Sequence, residues 1–163
     1  MKADPIKVLI VCLGNICRSP MAEGWLRARI AAEPLLKDRV VVDSAGLGDW
    51  HAGQPPDPRA IRTAAAHGID IAGQRARMLT RQDFREFDLI LCADRSTLRQ
   101  TRAQSAADTH VSIARLLEWA GHPPPCDLAD PYTGGLADFE QVWMHLDAAG
   151  DGIVHGLHHA LDA

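Results

Sequence analysis

Two hydrophobic rhythms alternate along this chain. Val8-Leu9-Ile10-Val11 is an unbroken apolar run, the pattern of a parallel strand buried on both faces. Arg39 to Asp43, centred on Val40-Val41-Val42, and Phe87 to Leu91 repeat it, and Thr109 to Ile113 forms a shorter fourth candidate. Between the runs the spacing becomes helical. Met21, Trp25, Leu26 and Ile30 share one face of a helix expected over about 19–32, with Arg27 and Arg29 off that face. Ser19 reads as its N-cap and Pro20 as its first residue.

Other helices are expected over about 57–67, ending at a Gly68 cap, from Thr80-Arg81-Gln82-Asp83 over a short stretch, and over about 94–104. Phe139, Val142, Trp143, Leu146, Ile153, Val154, Leu157 and Leu161 keep helical spacing over about 136–161. Gly150 and Gly152 interrupt that stretch, each costing about 0.5–1 kcal/mol in a helix, so a kink or break is expected there.

Strands alternating with helices predict an α/β fold. The expected architecture is a doubly wound, flavodoxin-like sandwich, a four-stranded parallel sheet with helices on both faces, forming a single domain over 1–163. Ligands of such sheets bind beyond the carboxyl ends of the strands, where strand order reverses. Cys12 directly follows the first strand.

Composition narrows the function classes. With 163 residues the chain can bury a core without disulfides, and a formal charge of −4 gives no reason to expect nucleic acid or an anionic membrane surface as partner. The first apolar run is short, about six residues from Val8, so no secretory segment is expected, and no run approaches the roughly 18–20 apolar residues of a membrane span. The expected location is cytoplasmic, where Cys12, Cys17, Cys92 and Cys126 are free thiols. His155, His158 and His159 could share a helix face as metal ligands, but a solvated helix end is the better reading.

The chemistry concentrates at Cys12-Leu13-Gly14-Asn15-Ile16-Cys17-Arg18-Ser19. A strand, a loop and a helix start aim several backbone N–H groups and a helix dipole at one small volume, a site suited to a phosphate-like dianion. Cys12 lies within it, with Arg18 at the end of a Cys-x5-Arg spacing. A free cysteine is only about 3% thiolate at pH 7, and a helix N-terminus with a fixed guanidinium stabilises that anion. The guanidinium can also hold two phosphate oxygens at once, which lysine could not.

These residues, with Pro20-Met21-Ala22-Glu23, resemble the signature loop of the low-molecular-weight protein tyrosine phosphatases. The similarity continues through Val42-Asp43-Ser44-Ala45-Gly46, Gly48-Asp49-Trp50-His51, Pro55-Pro56-Asp57-Pro58-Arg59, His67-Gly68-Ile69, Phe87-Asp88-Leu89-Ile90-Leu91 and Asp130-Pro131-Tyr132. The resemblance implies hydrolysis of phosphotyrosine and aryl phosphates through a phosphocysteine intermediate. In it Cys12 is the nucleophile, Arg18 binds phosphate and Asp130 is general acid and then base. Leu13, Gly14, Asn15, Ile16, Cys17 and Ser19 form the phosphate loop. Trp50 and Tyr132 are aromatic walls around the substrate ring, thinned on one side because Thr133 stands where many relatives place a second aromatic. Ser44 braces Asn15, and Gln74 takes the place of a bracing histidine.

Cys17 could form a reversible disulfide with Cys12 under peroxide. The implied chemistry calls for no metal and no cofactor. Phosphate and other oxyanions are its expected ligands, and its partner is a tyrosine-phosphorylated protein, with a bacterial tyrosine kinase as one candidate. Arsenate reductases share the fold, but they need further cysteines, and Asp94 to Arg102 contains none beside Cys92. Protein-arginine phosphatases typically carry threonine at the position of Ile16, whose apolar side chain favours an aryl phosphate. A nucleotide-binding module would need Gly-Lys-Ser/Thr in the loop, which is missing.

Overall fold

The computed structural model describes residues 4–106 and 109–162; Lys2 lies outside them. The elements in chain order are β1 (Ile6–Cys12), α1 (Arg18–Ala31), β2 (Val40–Gly46), α2 (Pro58–Ala66), α3 (Asp83–Glu86) and β3 (Leu89–Cys92). They are followed by α4 (Arg95–Gln104), β4 (Ser112–Arg115), α5 (Leu116–Trp119), α6 (Leu136–Ala148) and α7 (Gly150–Asp162). The strands form one parallel sheet of order β2-β1-β3-β4. The chain therefore steps from β1 to one side, then crosses to the other, and the switch point lies between β1 and β3.

Alternation along β1 divides the interior. Val8, Ile10 and Cys12 face one cluster, which α1, α2, α5, α6 and α7 cover with side chains including Trp25, Leu26, Trp143 and Ile153. Leu9 and Val11 face a second cluster with Ile90, Cys92, Phe84 and Phe87, partly covered by Leu98 of α4. Both faces of β1 are thus dry, which explains its unbroken apolar run. Burying each large side chain contributes about 1.5–3 kcal/mol before chain entropy is counted.

Several boundaries differ from the sequence expectation. β2 runs on through Ser44 to Gly46, because Ile10, Val11 and Cys12 continue the ladder beside it. The fourth strand begins at Ser112 rather than Thr109, and leads into the unanticipated short helix α5. The last helical stretch breaks at Ala149 into α6 and α7, as Gly150 and Gly152 lead one to expect. A Cβ on Gly152 would overlap the Ala120 carbonyl, so glycine is what lets α7 cross the end of α5 there.

A further correction concerns Ser19. α1 starts at Arg18 with Cys17 as its cap residue and no side-chain cap bond, which leaves Ser19 inside the first turn and Pro20 at the third position. Pro20 is tolerated because the first turn's N–H groups have no intrahelical partner in any case. The hydroxyl of Ser19 is engaged in the loop below.

Candidate active site

Cys12 ends β1 and is 3% exposed, and the loop that follows turns back over the end of β2. Leu47 N–H donates to the Cys12 and Leu13 carbonyls at 3.1 and 2.9 Å, fastening the loop to the chain beyond β2. The approach is close. A Cβ on Gly46 would lie 2.9 Å from the Gly14 carbonyl carbon and 3.0 Å from the Asn15 nitrogen. Among the described residues, no backbone N–H from Leu13 to Cys17 donates to a backbone acceptor. Those groups remain to receive an anion at the head of α1.

Asn15 sets the shape of the loop. Its φ is 58°, a left-handed value that asparagine tolerates better than most residues. Its Oδ1 accepts the Arg77 N–H at 3.0 Å, which fixes the orientation of the amide. Its Nδ2 then donates to Ser19 Oγ at 2.7 Å and to Ser44 Oγ at 3.0 Å. Ser19 Oγ, which accepts from Asn15, lies 3.0 Å from Cys12 Sγ, so its hydroxyl is placed to donate to a Cys12 thiolate. Ser44 donates onward to Glu23 Oε1 at 2.7 Å. Burial pushes the Glu23 carboxyl above the usual range, against the opposing pull of the Ser44 hydroxyl and of Arg27, 3.1 Å from its Oε2.

Gln74 does not take the bracing position expected of it. Its amide donates to the Pro20 carbonyl at 3.1 Å, tying the first turn of α1 to the loop after α2. Glu23 fills the bracing role beneath Ser44 instead.

Arg18 is 3% exposed. Its Nη1 donates to Asp94 Oδ2 at 2.6 Å and to the Leu128 carbonyl at 2.9 Å, while its Nη2 lies 3.7 Å from Asp130 Oδ2. Burial would lower its pKa, but Cys12, Asp94 and Asp130 around it raise it, so the charge is secure. Asp94 caps α4 as well, accepting from Thr97 N and Oγ1, both at 2.7 Å. Burial would raise its carboxyl, yet the bonds from Arg18 and Thr97 outweigh that and hold it below the usual range.

Cys12, Leu13, Ile16, Cys17, Arg18 and Asp130 surround a cavity of about 240 Å³. Trp50, His51 and Tyr132 also line it, with Trp50 65% and Tyr132 50% exposed. The two expected aromatic walls stand at one opening, and Thr133 is not among the residues lining it. His51 is a further wall residue that sequence reasoning left without a role, its ring 6.4 Å from that of Tyr132.

Of the remaining cysteines, Cys17 shares the cavity, and Cys92 and Cys126 do not line it. Burial, then Asp57, Cys12 and Asp130, push the Cys17 thiol up to about 12. Cys92 is fully buried on the opposite face of the sheet from Cys12, and burial pushes it up to about 11. Cys126 is buried in the first cluster. Among the described residues, no group of three His, Cys, Asp or Glu side chains could hold a metal ion, so His155, His158 and His159 do not gather into one. No helix of the described residues is long and apolar enough to cross a membrane.

Comparison with known proteins agrees with this geometry. The family model for low molecular weight phosphotyrosine protein phosphatase matches residues 7–162. The chain is 41% identical to the low molecular weight phosphotyrosine protein phosphatase of Sus scrofa over 141 residues, covering 84% of this chain and 86% of that protein. Among solved structures, a protein tyrosine phosphatase from Entamoeba histolytica superposes with a TM-score of 0.88 at 28% identity, over 95% of this chain and 98% of that one. A Drosophila arginine phosphatase superposes with a TM-score of 0.83 at 31% identity, over 92% and 96%. The chain belongs to the low molecular weight phosphotyrosine protein phosphatase family and is a protein-tyrosine phosphatase.

Proposed function

We propose that this protein hydrolyses tyrosine-phosphorylated proteins through a phosphocysteine formed on Cys12. The observation that carries the reading is a buried thiol beneath a loop of unpaired amides, facing Asp130 across one cavity. The substrate's phosphate takes the place prepared by the amides from Leu13 to Cys17 and by the guanidinium of Arg18. The Cys12 thiolate attacks phosphorus, and the S–P bond forms as the bond to the phenolic oxygen breaks. A tyrosine phenolate has a basicity near pKa ~10, so its departure needs a proton, which Asp130 donates. Asp130, now a carboxylate, takes a proton from the water that cleaves the S–P bond and releases inorganic phosphate. Ser19 donates its hydroxyl proton to Cys12 sulfur, stabilising it as attacking and as leaving thiolate.

Ile16, on the cavity wall, and the exposed rings of Trp50 and Tyr132 suit an aryl group. Cys92, turned to the other face of the sheet, cannot serve as a relay for an arsenate-reducing cascade. A working thiolate needs a reducing compartment, which favours the cytoplasm. The protein substrate is a tyrosine-phosphorylated chain, and a bacterial tyrosine kinase is a candidate that a substrate-trapping variant would identify. Under peroxide, Cys12 oxidised to the sulfenic acid condenses with the Cys17 thiol, releasing water and closing a reducible disulfide.

The test is hydrolysis of an aryl phosphate. The expected result is vanadate-sensitive turnover, abolished in Cys12→Ser, with Asp130→Ala slowing phosphotyrosine hydrolysis while vanadate affinity holds. Thiol consumption with arsenate and no phosphatase activity would overturn the reading. Equal loss of turnover and vanadate affinity in Asp130→Ala would assign Asp130 a structural role.

A further inference from the structure

The segment that carries Asp130 lies between α5 and α6 and has no helix or strand of its own. Something else must hold it. On its upstream side Leu128 is tied twice: its N–H donates to the Ala93 carbonyl at 2.9 Å, and its own carbonyl accepts from Arg18. On the downstream side the tie comes from one side chain, Arg59 in the first turn of α2. Its Nη2 donates to the Tyr132 carbonyl at 2.9 Å and its Nη1 to the Gly134 carbonyl at 2.8 Å.

Arg59 is itself immobilised. Asp57 caps α2 by accepting the Arg59 N–H at 2.8 Å, and the same carboxylate receives Nε at 3.0 Å and Nη2 at 2.9 Å. The guanidinium carbon sits 4.5 Å from the Phe139 ring centroid in α6 and 5.9 Å from that of Tyr132. Four of the five guanidinium N–H groups are thus assigned, and the guanidinium carbon lies over an aromatic ring. Asp57 reaches the other half of the site as well. Its backbone N–H donates to the Ile16 carbonyl at 2.8 Å, inside the phosphate loop.

We propose that Asp57 and Arg59 form a strut that sets the distance between the phosphate loop and the acid segment, and that Arg59 is the positioning residue for Asp130. The proposal rests on the reading of Asp130 as the general acid. Asp57 grips the loop that holds the nucleophile, and Arg59 grips the backbone two and four residues beyond the acid. The other link between the two is Arg18, which donates to the Leu128 carbonyl and lies 3.7 Å from Asp130 itself; Asp57 and Arg59 supply the link downstream of the acid. Lysine could not replace Arg59, because a single ammonium cannot receive a bidentate carboxylate and donate to two carbonyls from one rigid plane. The strut acts on proton delivery and leaves the phosphate cradle intact.

This predicts a dependence on the leaving group. Arg59→Ala and Arg59→Lys are assayed for kcat/KM with p-nitrophenyl phosphate, whose leaving group departs readily without a proton, and with phosphotyrosine, whose leaving group needs one. Asp130→Asn is assayed beside them, and vanadate inhibition is measured for every variant. The expected result is a loss of roughly 10–100-fold on phosphotyrosine for both Arg59 variants, a several-fold smaller loss on p-nitrophenyl phosphate, and unchanged vanadate affinity. In an Asp130→Asn background, Arg59→Ala should add no further discrimination between the two substrates.

Equal losses on both substrates, or full rescue by lysine, would overturn the strut. If Asp130→Asn itself fails to discriminate between leaving groups, the underlying assignment of the acid fails instead, and the two failures are distinguishable. A variant too unstable to assay is replaced by Asp57→Asn, which removes the charge and the Nη2 contact while keeping the helix cap. The strut then demands the same discrimination, and its absence contradicts the proposal.

Discussion

Arg18 donates to Asp94 at 2.6 Å across the switch point of the sheet, from the first residue of α1 to the residue that caps α4. Two helices that follow neighbouring strands therefore share one charge pair directly below the phosphate loop. Removing the carboxylate leaves a buried guanidinium with only the Leu128 carbonyl on that nitrogen. Asp94→Ala is expected to cost roughly 2–4 kcal/mol in urea unfolding, part from the pair and about 1 kcal/mol from the cap. Asp94→Ser keeps a capping oxygen and should recover the cap portion while losing the same vanadate affinity as Asp94→Ala. Recovery of affinity by serine would mean that Asp94 acts through α4 alone.

Gly46 faces backbone where a side chain would have to go. An added Cβ would press on the Gly14 carbonyl carbon at 2.9 Å, and neither backbone can yield without moving the loop. Gly46→Ala is expected to destabilise by about 1–3 kcal/mol and to lower kcat/KM by at least ~10-fold, measured by unfolding and by aryl phosphate hydrolysis. Wild-type activity in this variant would show that the loop does not depend on that contact.

Glu23 gives a pH signature. Burial raises its folded pKa, so its carboxylate is the less favoured form in the folded protein. The corresponding stability is fully present below the unfolded value of about 4.3 and is lost as pH rises through the higher folded value. Glu23→Gln keeps an acceptor for Ser44 and removes the titration. The stability of the variant relative to wild type should rise between pH ~4 and pH ~7 in paired denaturation curves. A relative stability that falls over that range would contradict the burial argument.

Much of this site was legible in the sequence because its chemistry is local. Cys12, the loop and Arg18 lie within seven consecutive residues, and strand, turn and helix signals place them together. The sheet was equally readable, since β1 is apolar on both faces and so announces a covered parallel strand. What could not be read was distant pairing. Asp94 shows in sequence only as the start of the helix expected over about 94–104, and nothing local points to Arg18, 76 positions away. Glu23 shows in sequence only as the end of the signature-loop resemblance, and nothing local says that its carboxylate turns inward to Ser44. Ser19 misled in the opposite way: its helix-start signal is genuine, but two buried partners compete for the hydroxyl and win.

Cys17 tests the redox reading. Its thiol is pushed up to about 12, so almost none is thiolate at neutral pH and its attack on an oxidised Cys12 is correspondingly slow. Disulfide formation after a peroxide pulse should accelerate with rising pH well beyond 8, followed by mass spectrometry of non-reduced peptides. A rate that is already maximal at pH 7 would contradict the strongly buried, neutral thiol.

The central claim is that Cys12 carries the phosphoryl group. Mixing the enzyme with a phosphotyrosine peptide, quenching it in acid within the first turnover and mapping the covalent phosphate by mass spectrometry tests this directly. The phosphate is expected on the peptide containing Cys12 and absent in Cys12→Ser. Phosphate on another residue, or full turnover with no covalent intermediate at any quench time, would contradict it.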